Sequence, residues 1–192
     1  MRYVLTHCAV YLTAVLAATP ALAQGEGKPP ETFFANAQVS GKDAGVSANV
    51  TIQINKYTDP RDRTTMTEAL RTGGYPGLLP VLRKMPEVGY VEVNGRKVSI
   101  RWARQTVNKG KGRSISIVTD SPIAFVGGAA VDAKPRAGFE LAAIFFEVDS
   151  VGLGKGTMAA AARVKPDGKD GVVIDDYAEK PVNLVTVRKS LK

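Results

Sequence analysis

The sequence predicts a mainly β protein with a minor helical part: a single antiparallel meander of about eight strands that closes as a barrel or a sandwich. Three observations predict it. Apolar and polar residues alternate along residues 46–56, Asn94-Gly95 separates two strand-like runs, and turn residues recur along the rest of the chain. Alternation is typical of a half-buried strand, and Asn-Gly favours a tight hairpin. Strands joined by short turns pair in chain order, which makes the sheet antiparallel.

The first 23 residues are predicted to be a secretory signal peptide. Arg2 supplies a positive start, residues 9–18 are apolar, and Ala21-Leu22-Ala23 is a small-x-small cleavage site. The apolar run is too short to cross a hydrocarbon core of about 30 Å as a helix. Cys8 precedes this run, which argues against a lipoprotein. We therefore expect export to the periplasm or outside a bacterial cell, a flexible leader over 24–30 and one β-rich domain over 31–192.

Removal of the signal peptide narrows the possible chemistry. The chain has 192 residues, a formal charge of +8, one His and one Cys. Cleavage after Ala23 removes both His7 and Cys8. The mature domain is then expected to lack disulfides, nucleophiles that need His or Cys, and zinc sites built from either residue. We predict no catalytic residue, no metal and no cofactor.

The first elements are two strands and a pair of helical segments. Residues 31–40 are predicted to form a short edge strand or a packed arm, and residues 46–56 are the clearest strand. Asp59-Pro60 is a helix start, since Asp caps the first turn and Pro fits its first position. Gly73-Gly74 ends that helix, and residues 75–85 form a shorter one in which Pro80 introduces a kink. The pair is predicted to be a helical hairpin packed on the sheet after the first long strand.

The remaining elements are predicted strands separated by turns. Residues 139–148 are apolar on both faces at their centre, which predicts a central strand covered on both sides. Residues 152–156 are predicted to be a turn that leads into an alanine-rich strand. The other predicted strands cover 88–93, 96–105, 113–119, 123–126, 157–165, 172–177 and 182–188.

A candidate ligand site depends on which way Trp102 points. Alternation places Trp102 on the same face as Val98 and Ile100, where a large aromatic residue is usually a core anchor. If the sheet closes around a cavity, the same face contacts an apolar ligand. The predicted contacts are then Ile100, Trp102, Phe145 and Met158. The alanine-rich run 158–162 leaves room for such a cavity or for a closely packed helix, and we favour the helix.

Positive charge suggests a second surface. Lys109, Lys111 and Arg113 form a basic hairpin tip, and the functional interpretation of this patch is weak attraction to anionic envelope components, although we favour the alternative that follows. The alternative is a soluble surface with scattered charge. Nucleic acid is not an expected partner, because aromatic residues make up only 7% of the chain and export separates it from nucleic acid.

Two other motifs do not predict chemistry. Residues 152–157 (GLGKGT) superficially suggest a phosphate-binding loop, but Gly156 separates Lys155 from Thr157 and a strand follows, so a β-turn is the better interpretation. Asp175 and Asp176 are adjacent, and neighbouring residues of a strand face opposite sides. They are therefore not predicted to share one substrate atom.

Several segments together resemble an uncharacterised family of exported bacterial proteins. The resemblance covers most of the mature chain, although Ser121 stands where similar sequences often have Arg, and residues 128–137 are shorter than in several of them. It implies export and a shared β-rich fold, and it implies no activity. The segments are Val50-Thr51-Ile52-Gln53-Ile54 with the Asp-x-Arg helix start, Arg101-Trp102-Ala103-Arg104, Val118-Thr119-Asp120 before Pro122-Ile123, Gly154-Lys155-Gly156-Thr157-Met158, and Asp176-Tyr177-Ala178 with Pro181-Val182-Asn183-Leu184.

Three functional hypotheses follow from the sequence. The leading one is an exported, non-enzymatic protein of the periplasm or envelope. The second is a binding protein or carrier for a small apolar ligand. The third is a carboxylate-based hydrolase of envelope glycans or esters, which needs two carboxyl groups about 5–10 Å apart.

Overall fold

The computed structural model describes residues 27–39, 47–108, 112–124, 136–178 and 180–191, and the predicted signal peptide lies outside them. Within these ranges no helix is both long and apolar enough to span a membrane. The same ranges contain nine strands and one helix: β1 Glu31–Val39, β2 Ser47–Ile54, α1 Pro60–Lys84, β3 Gly89–Val93, β4 Arg96–Val107, β5 Arg113–Thr119, β6 Leu141–Val148, β7 Leu153–Asp167, β8 Gly171–Tyr177 and β9 Val182–Lys189.

Eight strands close into an antiparallel barrel. Their order is β6-β5-β4-β3-β2-β1-β9-β7, and β7 pairs again with β6 to complete the ring. Strand β8 lies outside the ring and pairs with the second half of β7. The structure thus confirms the mainly antiparallel β fold, and of the two closures left open by the sequence it has the barrel.

The N-terminal strand closes the barrel instead of forming an edge. Residue Phe33 pairs with Ile52 of β2 on one side and with Lys189 of β9 on the other. Its alternate residues are buried, as are those of β2, which confirms the predicted alternation of β2. The edge-strand prediction for residues 31–40 was wrong, because the C-terminal strand supplies a partner that is distant in sequence.

The helix begins as predicted, after β2. Asp59 caps it by accepting a hydrogen bond from the Arg61 amide, and Pro60 is its first residue. The two predicted helical segments belong to one helix, which is interrupted at Gly74, where φ is 60° and ψ is −160°. Glycine tolerates this left-handed backbone, so the chain bends there without a side-chain clash.

The helix covers one part of the outside of the barrel. Its buried residues pack with Trp102, with Leu141 and Ala143 of β6, and with Ala159 and Ala162 of β7. Small side chains on β7 allow the helix to approach closely, as we expected for the alanine-rich run. Strand β6 is therefore covered on both faces, by the barrel interior and by α1, which confirms the prediction for this strand.

Two local predictions differ from the structure. Strand β7 already begins at Leu153, so residues 153–156 of the predicted turn belong to a strand. A Cβ atom on Gly154 would lie 1.7 Å from the carbonyl oxygen of Glu147, so the absence of a side chain lets β7 approach β6. Residues 123 and 124 are not in a strand, and the rest of the predicted strand 123–126 lies outside the described residues.

Candidate functional site

An open groove of about 650 Å³ runs across the outer face of four neighbouring strands, in the order β5, β6, β7, β9. We call it the outer groove. Its walls carry three hydroxyl side chains, one amide, one Glu–Lys pair and one aromatic ring. The outward-facing residues are Ser114, Ser116, Phe145, Glu147, Lys155, Thr157, Asn183 and Val185.

The groove continues the face that α1 covers. Along β5 the outward positions change from Val118, which packs against the helix, to Ser116 and Ser114. Along β6 they change in the same way, from Ala143 through Phe145 to Glu147. Each strand is thus apolar where the helix covers it and polar where it does not. The helix end of the groove is therefore marked by Phe145, which is partly buried against the helix-covered cluster.

The polar side chains of the groove are ordered by local contacts. The Ser114 hydroxyl donates to the Glu147 carboxylate over 3.1 Å, and the Asn108 amide donates to the Ser114 oxygen over 3.1 Å. Glu147 is also the cross-strand neighbour of Lys155. Hydroxyl, amide and charged groups beside the half-buried ring of Phe145 are able to hydrogen-bond to a polar ligand while the ring contacts its apolar face.

Among the described residues, the inside of the barrel is filled by packed side chains. Its core consists of buried Val, Ile, Leu, Phe, Met and Ala residues, most of them with almost no accessible surface. Phe33 and Phe146 meet edge to face, with 5.0 Å between ring centroids. In a small barrel the interior is just wide enough for side chains to fill it.

One end of this interior is closed by a buried group of charged and polar residues, which we call the ion cluster. Arg113 donates to both carboxylate oxygens of Glu31, over 2.6 and 2.8 Å. Lys189 Nζ lies 2.8 Å from the same carboxylate, and the Tyr57 hydroxyl donates to it over 2.8 Å. Arg113 also donates to the side-chain oxygen of Gln105 over 2.8 Å. Because every charged member has a partner, the cluster is compatible with burial.

Protonation in the ion cluster follows from these contacts. Burial alone would raise the pKa of the Glu31 carboxyl, but hydrogen bonds from Arg113, Lys189 and Tyr57 outweigh it and lower the pKa from 4.5 to about 2. Burial, together with the Glu31 charge, raises the pKa of the Tyr57 phenol well above its usual range. Near neutral pH the cluster therefore contains an ionised Glu31 and a neutral Tyr57, which suits a structural role better than proton transfer.

The four residues of the predicted ligand site fall into two separate places. Ile100 and Met158 lie in the barrel interior, whereas Trp102 and Phe145 belong to the cluster under the helix. Phe145 faces outward because it alternates with the inward-facing Ile144 and Phe146 of β6. For Trp102 the reason is a bulge at Arg101, where the pairing of β4 with β5 shifts by one residue. Two residues on the bulged strand then oppose one on its partner, which reverses the alternation. The prediction that Trp102 shares the face of Ile100 was therefore wrong.

Contacts of Arg101 hold this bulge. Its guanidinium donates to the Asp120 carboxylate over 2.7 Å and to the Met85 carbonyl at the end of α1 over 3.1 Å. Trp102 is consequently fully buried beneath the helix, as a core anchor on the outside of the barrel.

Replacing Trp102 with phenylalanine is expected to cost less than about 1.5 kcal/mol, whereas alanine is expected to cost about 3–5 kcal/mol. The indole Nε1 of Trp102 is buried and has no hydrogen-bond partner within the described residues. Phenylalanine keeps most of the ring contacts and removes this unpaired donor, whose burial is unfavourable by about 1–3 kcal/mol. Chemical denaturation followed by circular dichroism measures both variants. Equal losses for the two would contradict the assignment.

The predicted basic patch does not stay together. Arg113 is buried in the ion cluster and is not part of the surface, a correction that follows from its inward position on β5. Lys109 and Lys111 lie outside the described residues. Glu31 was not predicted as a site residue from the sequence. It lies two residues before the buried Phe33, so both side chains point to the same face of β1.

Several carboxylates outside the groove form ion pairs with basic side chains. Asp170 lies 2.9 Å from Arg63 and 3.1 Å from Arg104, which together outweigh its desolvation and lower its pKa. Asp175 lies 3.3 Å from Lys165. Among the described residues no three His, Cys, Asp or Glu side chains are grouped so that they could hold a metal ion.

Comparison of the chain with protein-family models, with curated proteins and with solved structures finds no match.

Proposed function

We propose that this chain is an exported, non-enzymatic binding protein of the bacterial envelope and that it holds an oligosaccharide in the outer groove. The observation that carries the proposal is the composition of the groove: hydroxyl and amide side chains surround Phe145 on an open sheet face. Sugars present hydroxyl groups at their edges and apolar C–H groups on their faces. Polar groups at fixed positions beside an aromatic surface match both features.

The shape of the site supports a chain-like ligand. The groove is open and crosses four strands, whereas a single small apolar molecule is best held in an enclosed, mainly apolar pocket. The barrel interior is occupied by side chains, which argues against an apolar ligand inside it. A polymer that presents both hydroxyl groups and apolar ring faces fits an open surface of mixed polar and apolar side chains better than it fits a buried carrier site.

Binding is also favoured over hydrolysis. Glu147 is the only carboxylate among the residues that line the groove. Hydrolysis of a glycosidic bond by the usual mechanism needs two carboxyl groups on either side of the bond. We therefore place Glu147 and Lys155 among the ligand contacts and assign no catalytic role to either. The predicted signal peptide supports an envelope location, where polysaccharides are abundant.

Replacing Phe145 with alanine is expected to weaken binding of an N-acetylglucosamine tetramer about tenfold. The loss corresponds to about 1.4 kcal/mol, a typical contribution of one aromatic contact. Nuclear magnetic resonance titration of labelled residues 24–192 measures the affinity and locates the shifted amides. Phe34 is the matched control, because it is an outward-facing phenylalanine on β1 and does not line the groove.

A second variant tests ligand binding without removing the packing contacts of Phe145. Ser116→Ala together with Thr157→Val removes two hydroxyl groups with little change in shape, and an effect of about tenfold is again expected. Thr186→Val, at an exposed position of β9 outside the groove, is its control. Absence of shifts in β5, β6, β7 and β9 with both an N-acetylglucosamine tetramer and a glucose tetramer would overturn the proposal.

A further inference from the structure

One end of the barrel presents most of the exposed apolar surface. We call it the Arg113 end; here β1 and β5 begin, β4 and β9 end, and β6 turns into β7. Seven large apolar side chains are exposed in the described part of the chain, and four of them are at this end: Val107, Val151, Leu153 and Leu191. The last three are the most exposed of all seven, at 68%, 55% and 94% respectively.

The turn between β6 and β7 is the centre of this surface and is held in place. The Asp149 carboxylate accepts hydrogen bonds of 2.9 Å from the amides of Val151 and Leu153. The Lys189 amide donates to the Gly152 carbonyl over 2.8 Å, which ties the turn to β9. Turns are usually polar, since they lie at the surface. Here an ordered turn directs two apolar side chains into solvent, an arrangement that calls for a partner.

Basic side chains surround the same end. Lys28, Lys56 and Arg188 are exposed there, on the leader, after β2 and on β9. The Glu31 carboxylate is buried in the ion cluster and neutralised by Arg113 and Lys189. Of the exposed carboxylates, Asp149 caps the turn and Glu147 faces Lys155. Exposed apolar side chains within a basic surface are typical of proteins that bind the interface of an anionic bilayer.

The place where the N-terminal segment joins the domain is consistent with a membrane at the Arg113 end. Gly27 is fixed here by a pair of 3.0 Å hydrogen bonds with the Gln105 side chain. The preceding 26 residues, with the apolar run 9–18, therefore join the domain at the Arg113 end. While the predicted signal peptide is still in the membrane, this end is the part of the domain nearest to the bilayer.

We infer that the Arg113 end docks on an anionic phospholipid bilayer, with Val151 and Leu153 entering the interface. Apart from Glu147 and Lys155, whose charges were weighed above, the residues of this surface are not in the outer groove, and the proposed envelope location supplies only the source of the lipid. The anionic envelope partner suggested by the positive charge of the chain is then a phospholipid bilayer.

Vesicle binding by residues 24–192 tests the inference. The protein is expected to sediment with vesicles of phosphatidylglycerol and phosphatidylethanolamine, and to bind phosphatidylcholine vesicles at least about tenfold less. Raising the salt concentration to about 0.5 M shortens the range of charge attraction and should release it. Val151→Ser together with Leu153→Ser should lower the partition coefficient at least about tenfold. Tyr177→Ser, at an exposed position on β8, should leave it unchanged.

A labelled variant tests the orientation directly. The only cysteine of the chain is Cys8, so residues 24–192 contain none. An environment-sensitive dye on Val151→Cys should shift to the blue when anionic vesicles are added, and the same dye on Tyr177→Cys should not. Equal binding by the serine variant, equal binding to neutral vesicles, or no dye shift at position 151 would overturn the inference. The groove variant with Ser116→Ala and Thr157→Val should bind vesicles normally, which separates the two proposals.

Discussion

Replacing Arg113 with methionine is expected to lower the free energy of unfolding by about 3–5 kcal/mol. The side chain of Glu31 has no exposed surface, and that of Arg113 is 7% exposed. Methionine fills similar space but leaves the Glu31 carboxylate without its two hydrogen bonds from Arg113. Glu31 keeps Lys189 and Tyr57 as partners, but the loss of one of its two cations and of both hydrogen bonds from Arg113 leaves a buried carboxylate poorly compensated, which destabilises the fold. Denaturant unfolding followed by Trp102 fluorescence measures the loss, because the chain has one tryptophan.

Two further variants test whether loss of the Arg113 contacts to Glu31 causes the expected decrease in stability. Changing Glu31 to methionine as well removes the poorly compensated buried carboxylate and leaves only the charge of Lys189, which is partly exposed to water, so the double variant should recover most of the lost stability. Lys97→Met breaks an exposed ion pair of 3.7 Å with Glu92 and should cost less than about 1 kcal/mol. A double variant that is no more stable than Arg113→Met would show that the loss comes from packing instead.

The same cluster predicts a pH dependence with a definite sign. The pKa of Glu31 is lowered by folding, from 4.5 to about 2. Its stabilisation is therefore fully present above pH 4.5 and is lost as the pH falls through about 2. At about 1.4 kcal/mol per pKa unit, the contribution near neutral pH is about 3 kcal/mol. The stability difference between the natural chain and Arg113→Met should shrink on acidification from pH 6 to pH 2.

Replacing Gly154 with alanine is expected to lower the free energy of unfolding by more than about 3 kcal/mol. The new Cβ atom would lie 1.7 Å from the Glu147 carbonyl oxygen and 2.9 Å from the Val148 Cα atom. Both neighbours are backbone atoms of β6, so relief of the clash requires β7 to move away from β6 and opens the barrel. Denaturation midpoints measure the loss, and the yield of soluble protein serves where the variant does not fold.

Alanine at other glycines provides graded controls. Gly156→Ala brings the Cβ to 2.3 Å from the Phe145 carbonyl oxygen, and we expect a substantial but smaller loss. A Cβ atom on Gly73 of α1 would meet no other atom within 4 Å, so alanine there should stabilise by about 0.5–1 kcal/mol. A Gly154→Ala protein as stable as the natural chain would contradict the close approach of β6 and β7.

Much of the secondary structure could be predicted because its signals are local. The alternation in β2, the Asn94-Gly95 hairpin and the Asp59-Pro60 helix start each depend on a few neighbouring residues. The edge prediction for β1 failed because its second partner, β9, is at the other end of the chain. The face of Trp102 was also unpredictable by alternation, since the bulge at Arg101 is fixed by contacts with Asp120 and Met85.

The buried pair of Glu31 and Arg113 could have been predicted from the alternation of buried and exposed residues. Glu31 and Arg113 each share the alternation of buried neighbours, Phe33 in one strand and Ile115 in the other. Opposite charges at inward positions of two strands suggest a buried pair. The groove was harder to predict, because it exists only where β5, β6, β7 and β9 become neighbours and where α1 stops covering them.

Closure of the barrel between β1 and β9 has a consequence for folding during the export that we propose. The first strand of the domain obtains its second neighbour only from the last, through pairs such as Phe33 with Lys189. Contacts between residues so far apart in sequence form slowly, because a long loop must be closed first. A chain that crosses a membrane N-terminus first therefore cannot complete its barrel until β9 has followed. Such delayed folding would keep the polypeptide unfolded during the proposed export.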